Sequence, residues 1–171
     1  MSQFFVKDLN GKRGGISATD PKKPLPERLQ DVILPAETPF DGVPYVGCAV
    51  TIPVGSDSYP GTVCKVSKET VEVEFIKRDK DYNETKVKRT IPKRVWVRSC
   101  DFRGVEGHSN AFTENQKYVY LEYPNWEQRE GAEYSWRDKK KGYIRVGTSS
   151  RSSAAQRIGF GFRRAYRDPS F

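Results

Sequence analysis

One histidine, one methionine and three cysteines are all that this 171-residue chain holds of imidazole and sulfur chemistry. A Ser-His-Asp or Cys-His nucleophile would have to run through His108, in a loop with Gly104 and Gly107. Nothing in the sequence brings Cys48, Cys64 or Cys100 to that loop. The gaps between Cys48, Cys64, Cys100 and His108 are 16, 36 and 8 residues, without the short paired spacing of structural zinc sites, so no metal is expected. Gly159-Phe160-Gly161 lacks the third glycine and the helix of a dinucleotide site, and no Walker pattern exists, so no cofactor is expected either. No apolar run approaches the roughly 18 residues of a membrane span, and no export leader opens the chain. An odd cysteine count cannot pair completely, and with no export leader it predicts reduced thiols, a cytoplasmic location and no membrane partner.

Aliphatic residues are also scarce: the hydrophobic fraction is 36% and the mean hydropathy −0.75. Nine Tyr, nine Phe and three Trp offset the shortage, and aromatic side chains suit a half-buried pleated sheet. Acid is missing from one long stretch. Residues 137–167 hold ten Lys/Arg and the single acid Asp138, and residues 76–103 hold ten Lys/Arg against four acids. The formal net charge of +8 therefore sits in two separated blocks, with Trp96, Phe102, Tyr143, Phe160, Phe162 and Tyr166 interleaved. Cations mixed with aromatic rings make phosphate-neutralising, base-stacking surfaces; the plain alternative is that they keep sheet edges soluble.

Residues 1–43 carry Pro21, Pro24, Pro26, Pro35 and Pro39, a density that blocks helix and ladder alike, and read as an extended or disordered arm with at most a helical turn near Glu27–Val32. Residues 44–171 read as one β-rich domain. Strands are expected at Ala49–Val54, Tyr59–Val66 and Thr70–Arg78, the last from Val71, Val73 and Phe75 alternating with Glu72 and Glu74. Gly55–Ser58 reads as a loop, Ser67–Glu69 as a tight turn and Asp79–Asn83 as a polar loop. Further strands are expected at Glu84–Ile91, Arg94–Arg98 and Lys117–Tyr123, with Cys100–Asn110 as loop between the last two. A hairpin pairs Glu133–Arg137 with Gly142–Val146, and Arg157–Arg163 reads as a final strand; Ser153–Arg157 offers one helical turn.

The run Tyr45-Val46-Gly47, Ala49-Val50-Thr51, Gly55-Ser56-Asp57-Ser58-Tyr59-Pro60-Gly61-Thr62-Val63 and Thr70-Val71-Glu72-Val73 resembles the opening of a Tudor-type or KOW-type SH3-like barrel. The fold expected is all-β: a small SH3-like barrel elaborated by additional antiparallel strands, with the N-terminal arm ahead of it. The same opening, with Tyr134-Ser135-Trp136-Arg137 and a closing Tyr166-Arg167-Asp168-Pro169-Ser170-Phe171, is similar to a family of small uncharacterised phage and bacterial proteins. That resemblance covers residues 45–75 and 133–171. It implies a bacterial or infected-host cytoplasm and no particular activity.

A non-enzymatic binding protein is expected. Its candidate nucleic-acid contacts, to DNA or RNA, are Lys77, Arg78, Lys86, Lys88, Arg89, Arg157, Arg163, Arg164 and Arg167. Candidate aromatic contacts are Tyr45, Tyr59, Phe160 and Phe162. The alternative is a protein–protein module engaging a host or virion protein. A third reading uses Glu84-Thr85-Lys86, with Asp57 or Asp79, as the carboxylates and lysine of a metal-dependent nuclease. Tyr45, Tyr59 and Phe75 are the candidates for an aromatic cage around a methylated cation; as core fillers of a small barrel they have a plainer role.

Overall fold

The computed structural model of the chain describes residues 6–7, 32–105, 118–124, 126–149, 152 and 155–166. Within them the chain forms β1 (Val6–Lys7), β2 (Ile33–Leu34), β3 (Ala49–Val54), β4 (Asp57–Val66), β5 (Thr70–Arg78), β6 (Glu84–Pro92), β7 (Arg94–Ser99), β8 (Asp101–Val105), β9 (Tyr118–Leu121), β10 (Ala132–Arg137), β11 (Gly142–Arg145) and β12 (Gly159–Phe160). The one helical element described is a single 3-10 turn, Trp126–Gln128. None of the described helices is long and apolar enough to cross a membrane.

The fold is almost all-β, built on a curled six-stranded sheet in the order β11-β10-β7-β4-β3-β12 with extra strands around it. The curl has a local cause. In β4 the pairing to β7 shifts between Val63 and Lys65, and such a bulge bends a strand and deepens its twist. Nearby, Gly61 lets β4 and β7 approach: a Cβ there would lie 2.9 Å from Val97 Cγ1. The concave side collects Val50, Val63, Val95, Val97, Tyr134 and Tyr143 in one buried cluster. The β5–β6 ribbon closes over it with Val73 and Ile91, 6% and 1% exposed; burying side chains of this size contributes about 1.5–3 kcal/mol each. The sheet's two edges approach where Ile158 N–H donates to Tyr143 C=O at 3.3 Å.

A second sheet, β1-β8-β9-β2, is joined to the first where β7 runs on through Cys100 into β8. Residues 32–43, the end of the predicted arm, run along the body. Ile33 and Leu34 pair with Leu121 and Tyr120, Thr38 N–H donates to Gly161 C=O at 3.0 Å, and Phe40 stacks on Phe160 at 5.3 Å.

Several sequence expectations need correction. Asp101–Val105 is a strand, not loop, paired through Phe102↔Tyr120 with β9. Its charges are internal: Arg103 Nη2 meets Asp101 Oδ2 at 3.1 Å, both side chains under a tenth exposed. The Gly55–Ser58 loop contracts to a two-residue turn, because pairing of β3 with β4 continues to Val54↔Asp57 and Gly55 takes a positive φ of 62°. Within Arg157–Arg163, Gly159–Phe160 forms the strand and Phe162 makes an isolated bridge to Glu37; within Lys117–Tyr123, Tyr118–Leu121 forms the strand and Lys117 lies outside the described residues. Ala155–Arg157 is not helical, while the rest of that turn and Glu27–Asp31 lie outside the described residues.

Candidate binding surfaces

The β5–β6 ribbon carries most of the first basic block. Nine consecutive pairs run from Thr70↔Pro92 to Arg78↔Glu84, so the two faces can be read directly from the register. The inner face presents Val71, Val73, Phe75 and Lys77 with Thr85, Val87, Arg89 and Ile91. The outer face presents Glu72, Glu74, Ile76 and Arg78 with Glu84, Lys86, Lys88 and Thr90. Three acids balance three cations there: Arg78 Nη2 lies 2.8 Å from Glu84, Lys86 Nζ 4.0 Å from Glu74, and Lys88 is registered opposite Glu74. Only the inner face, with Lys77 and Arg89, is cationic without acid. At the tip, Asp79 accepts from the backbone N–H groups of Asp81 and Asn83, and bonds to Asn83 hold its carboxyl below the usual range. This turn holds Tyr82 at φ 62° and 83% exposed.

The second basic block is divided among different tasks. Arg163 is 4% exposed; it donates through Nη1 to Pro35 C=O and through Nη2 to Thr62 Oγ1 at 2.8 Å, so it braces the interior rather than meeting a phosphate. Arg157 lays its stem on Gly142, where a Cβ would come within 2.6 Å of it. Arg164 is exposed, 5.4 Å from the Tyr166 ring, and Arg167 lies outside the described residues. The turn between β10 and β11 holds Lys139, Lys140 and Lys141, all exposed. Trp136 sets its place: Nε1–H donates to Asp138 at 2.8 Å and the ring meets Phe75 edge-on at 6.3 Å. The lysine turn thus follows directly on Trp136, whose ring meets Phe75 of the ribbon's inner face.

The aromatic candidates disperse. Tyr45 O–H donates to Pro39 C=O, Tyr59 packs on Phe102 at 6.3 Å, Phe160 is layered between Phe40 and Tyr143, and Phe162 covers Gly159. Tyr45, Tyr59 and Phe75 each have different partners and form no shared cage.

A surface not anticipated from sequence lies on the outer side of the curled sheet. Period-two alternation sends Val95 and Val97 inward and Arg94, Trp96 and Arg98 outward on β7. The segment Trp126–Gly131 crosses nearby and leaves a groove of about 760 Å³ between Trp96 and Trp126, both half-buried. Each ring carries a cation: Lys65 Nζ is 4.6 Å from Trp96, and the Arg98 guanidinium 4.9 Å from Trp126. Arg98 is itself fixed by Glu122 at 2.7 Å, and that hydrogen bonding raises its pKa above the ordinary value. Arg129 lies 4.4 Å from the Tyr123 ring. Glu133 pairs with Arg94 at 3.1 Å, whereas Glu127 and Glu130 form no ion pair among the described residues. The sequence did carry one signal, the alternation of β7; Trp126 is thirty positions away from Trp96 and meets the strand through the Arg98 guanidinium.

The three cysteines are free thiols at separate places. Cys48 lies in the core by Thr38, Cys100 contacts Thr62 Oγ1 at 3.2 Å, and Cys64 faces the carbonyls of Trp96 and Glu130 at 3.3 and 3.2 Å. Burial pushes the Cys64 and Cys100 thiols up. His108 lies outside the described residues. Among the described residues no group of three or more His, Cys, Asp or Glu is placed to hold a metal. Of the nuclease set, Glu84 is paired with Arg78, Asp79 caps the ribbon tip, and Asp57 lies on another sheet, where β4 leaves its turn with β3. No protein-family model matches the chain, and no curated protein or solved structure is significantly similar to it.

Proposed function

We propose that the chain is a non-enzymatic protein–protein interaction module, an SH3-like barrel elaborated by added strands, whose Trp96–Trp126 groove takes a peptide segment of a host or virion protein. The observation that carries this reading is the groove itself: two half-buried tryptophans, each with a cation over its ring, at a surface of mixed charge. Tryptophan and arginine are the residues that most often anchor protein interfaces. Two further facts support it over a nucleic-acid role: the outer ribbon face is charge-balanced, and Arg163 is buried. The resemblance to phage and bacterial proteins and the three free thiols support a bacterial or infected-host cytoplasm. The test is capture on the immobilised full chain from nuclease-treated extract of the infected host. A single stoichiometric protein retained by the parent and lost with Trp126→Ala supports the reading; retention unaffected by Trp96→Ala and Trp126→Ala refutes it.

A second reading, DNA or RNA binding, is supported by the Phe75–Trp136 contact, which joins the strand leading into Lys139–Lys141 to the ribbon face that carries Lys77 and Arg89. Binding of labelled single strands that weakens steeply between low and moderate salt, and is lost in a Lys77→Glu, Arg89→Glu variant, is the outcome that reading requires.

A further inference from the structure

We propose that the free edge of β5 is a self-association surface: two copies of the chain pair edge to edge, antiparallel about Ile76, and join their β5–β6 ribbons into one four-stranded sheet. The partner is a second copy of this chain. The surface is separate from the Trp96–Trp126 groove, none of whose lining residues lies on the ribbon.

The first observation is where the ribbon's backbone points. Among the described residues, β5 and β6 form a two-stranded sheet with no further strand on either side. Antiparallel strands bond through alternate residues, and contacts at both ends of the ribbon fix the phase. Lys93 N–H donates to Glu69 C=O at 2.9 Å, one step before Thr70↔Pro92. Asp79 N–H donates to Asn83 C=O at 3.1 Å, one step beyond Arg78↔Glu84. Pro92 has no N–H, and its C=O accepts from the Tyr143 hydroxyl. The odd-numbered residues of β5 therefore bond to β6, and the N–H and C=O groups of Glu72, Glu74, Ile76 and Arg78 face outward. No backbone hydrogen bond reaches those outward groups among the described residues. Such a row is a template for another strand.

The second is what that edge carries. Ile76 stands in the row 58% exposed, with Glu74 before it and Arg78 after it. Antiparallel pairing centred on Ile76 sets Ile76 against Ile76, and each Glu74 against Arg78 of the other copy. On the inner face it brings Lys77 opposite the Phe75 ring of the other copy. Both charges can take a further partner. Arg78 holds Glu84 through Nε and Nη2, which leaves Nη1, and Glu74 has Lys86 no nearer than 4.0 Å. Neighbouring registers fit worse: centring on Glu74 puts carboxylate against carboxylate, and centring on Phe75 puts each carboxylate against Ile76.

The third is the contrast with the ribbon's other edge. β6 turns the backbone of Glu84, Lys86, Lys88 and Thr90 outward. Self-pairing of β6 about Lys86, Val87 or Lys88 sets lysine against lysine each time, and edge lysines are a common guard against strand addition. One edge is guarded and the other is complementary to itself, so the assembly closes at two copies. The contact is narrow, Glu74–Arg78 on each side. It falls below the roughly 800 Å² per partner of a standard interface, so the dimer is weak and reversible.

The test is sedimentation velocity of the full chain from about 10 μM to about 1 mM, the range in which a contact of this size associates. The parent should pass from monomer to dimer across it. Ile76→Pro removes an outward N–H that β6 does not use, so the unfolding midpoint should stay near the parent's while dimerisation weakens about tenfold or more. Glu74→Arg and Arg78→Glu test the contact without a proline. Each alone sets like charges across the seam and should weaken dimerisation about tenfold. An equimolar mixture of the two should regain it as a heterodimer, because each chain supplies the charge that the other lacks. A parent that stays monomeric, an Ile76→Pro chain that folds and still dimerises, or a mixture no tighter than its components overturns the proposal. Growth beyond the dimer overturns it too, since an open array requires a second surface.

Discussion

Arg98 grips the Glu122 carboxylate in two places, Nη2 to Oε1 at 2.7 Å and Nε to Oε2 at 3.2 Å, and lays the same guanidinium 4.9 Å from the Trp126 ring. Glu122 is 3% exposed in its side chain and Arg98 12%. Removing one partner would leave the other charge desolvated, which typically costs about 3–5 kcal/mol. Glu122→Ala should therefore lower the urea midpoint substantially. Arg98→Lys is the sharper probe. A lysine keeps the charge but not the fork or the planar stack, so Trp126 should become more accessible to quencher. Unchanged quenching would show that the ring is held by something else.

Gly131 lets the crossing segment lie directly on β7. Its φ is 77°, and a Cβ there would sit 2.8 Å from the Val97 carbonyl and 2.9 Å from Cys64 Sγ. Gly131→Ala therefore combines backbone strain with a contact against rigid main chain, and should destabilise by more than about 1 kcal/mol. Equilibrium unfolding should show a lower midpoint at constant slope. Peptide or partner binding should weaken in the same variant, because the groove wall is what moves.

These two sites show what the sequence could and could not reveal. The β5 strand was legible because Val71, Val73 and Phe75 alternate with glutamates, and alternation reports a two-faced strand directly. β8 was not, because Asp101 and Arg103 are charged residues buried against each other, and a pair that neutralises itself reads as polar loop. Arg163 counted as surface charge for a related reason. Its acceptors, Pro35 C=O and Thr62 Oγ1, are 128 and 101 positions away, and burial of a cation depends on them. The groove was hidden by the same distance: nothing local in the sequence links Trp96 to Trp126.

Tyr82 sits in the left-handed region, which disfavours a side chain by about 1–2 kcal/mol, and it does so fully in solvent. Tyr82→Gly relieves that strain, though a glycine also loosens the unfolded chain, so a net gain of up to about 1 kcal/mol is expected. Thermal unfolding should move slightly upward. A clear fall in the midpoint would mean that the ring makes contacts that its exposure does not suggest.

Tyr143 links the core to the ribbon by donating its hydroxyl to Pro92 C=O, and Tyr118, Tyr120, Tyr123 and Tyr134 are also at least half withdrawn from water. Burial raises all five phenols above their ordinary value of 10, Tyr118 to about 12. A phenol raised in the folded state favours the neutral form, so the stability it secures is fully present below pH 10. It is lost as pH climbs through the folded-state value, because the unfolded chain releases the proton first. Urea midpoints should be level across pH 7–9, as far as these phenols decide it, and should then fall increasingly steeply above about pH 10. Absorbance at the phenolate band should show an early-titrating group of tyrosines and a late one, and the late group should vanish in urea. Tyr143→Phe removes one member of the late group and leaves Pro92 C=O without its buried donor, at about 1–3 kcal/mol. If that variant kept both the parent's stability and its late absorbance step, the hydroxyl would not be buried as described, and the seam between ribbon and sheet would have to be held by the apolar contacts of Val73, Ile91, Phe75 and Trp136.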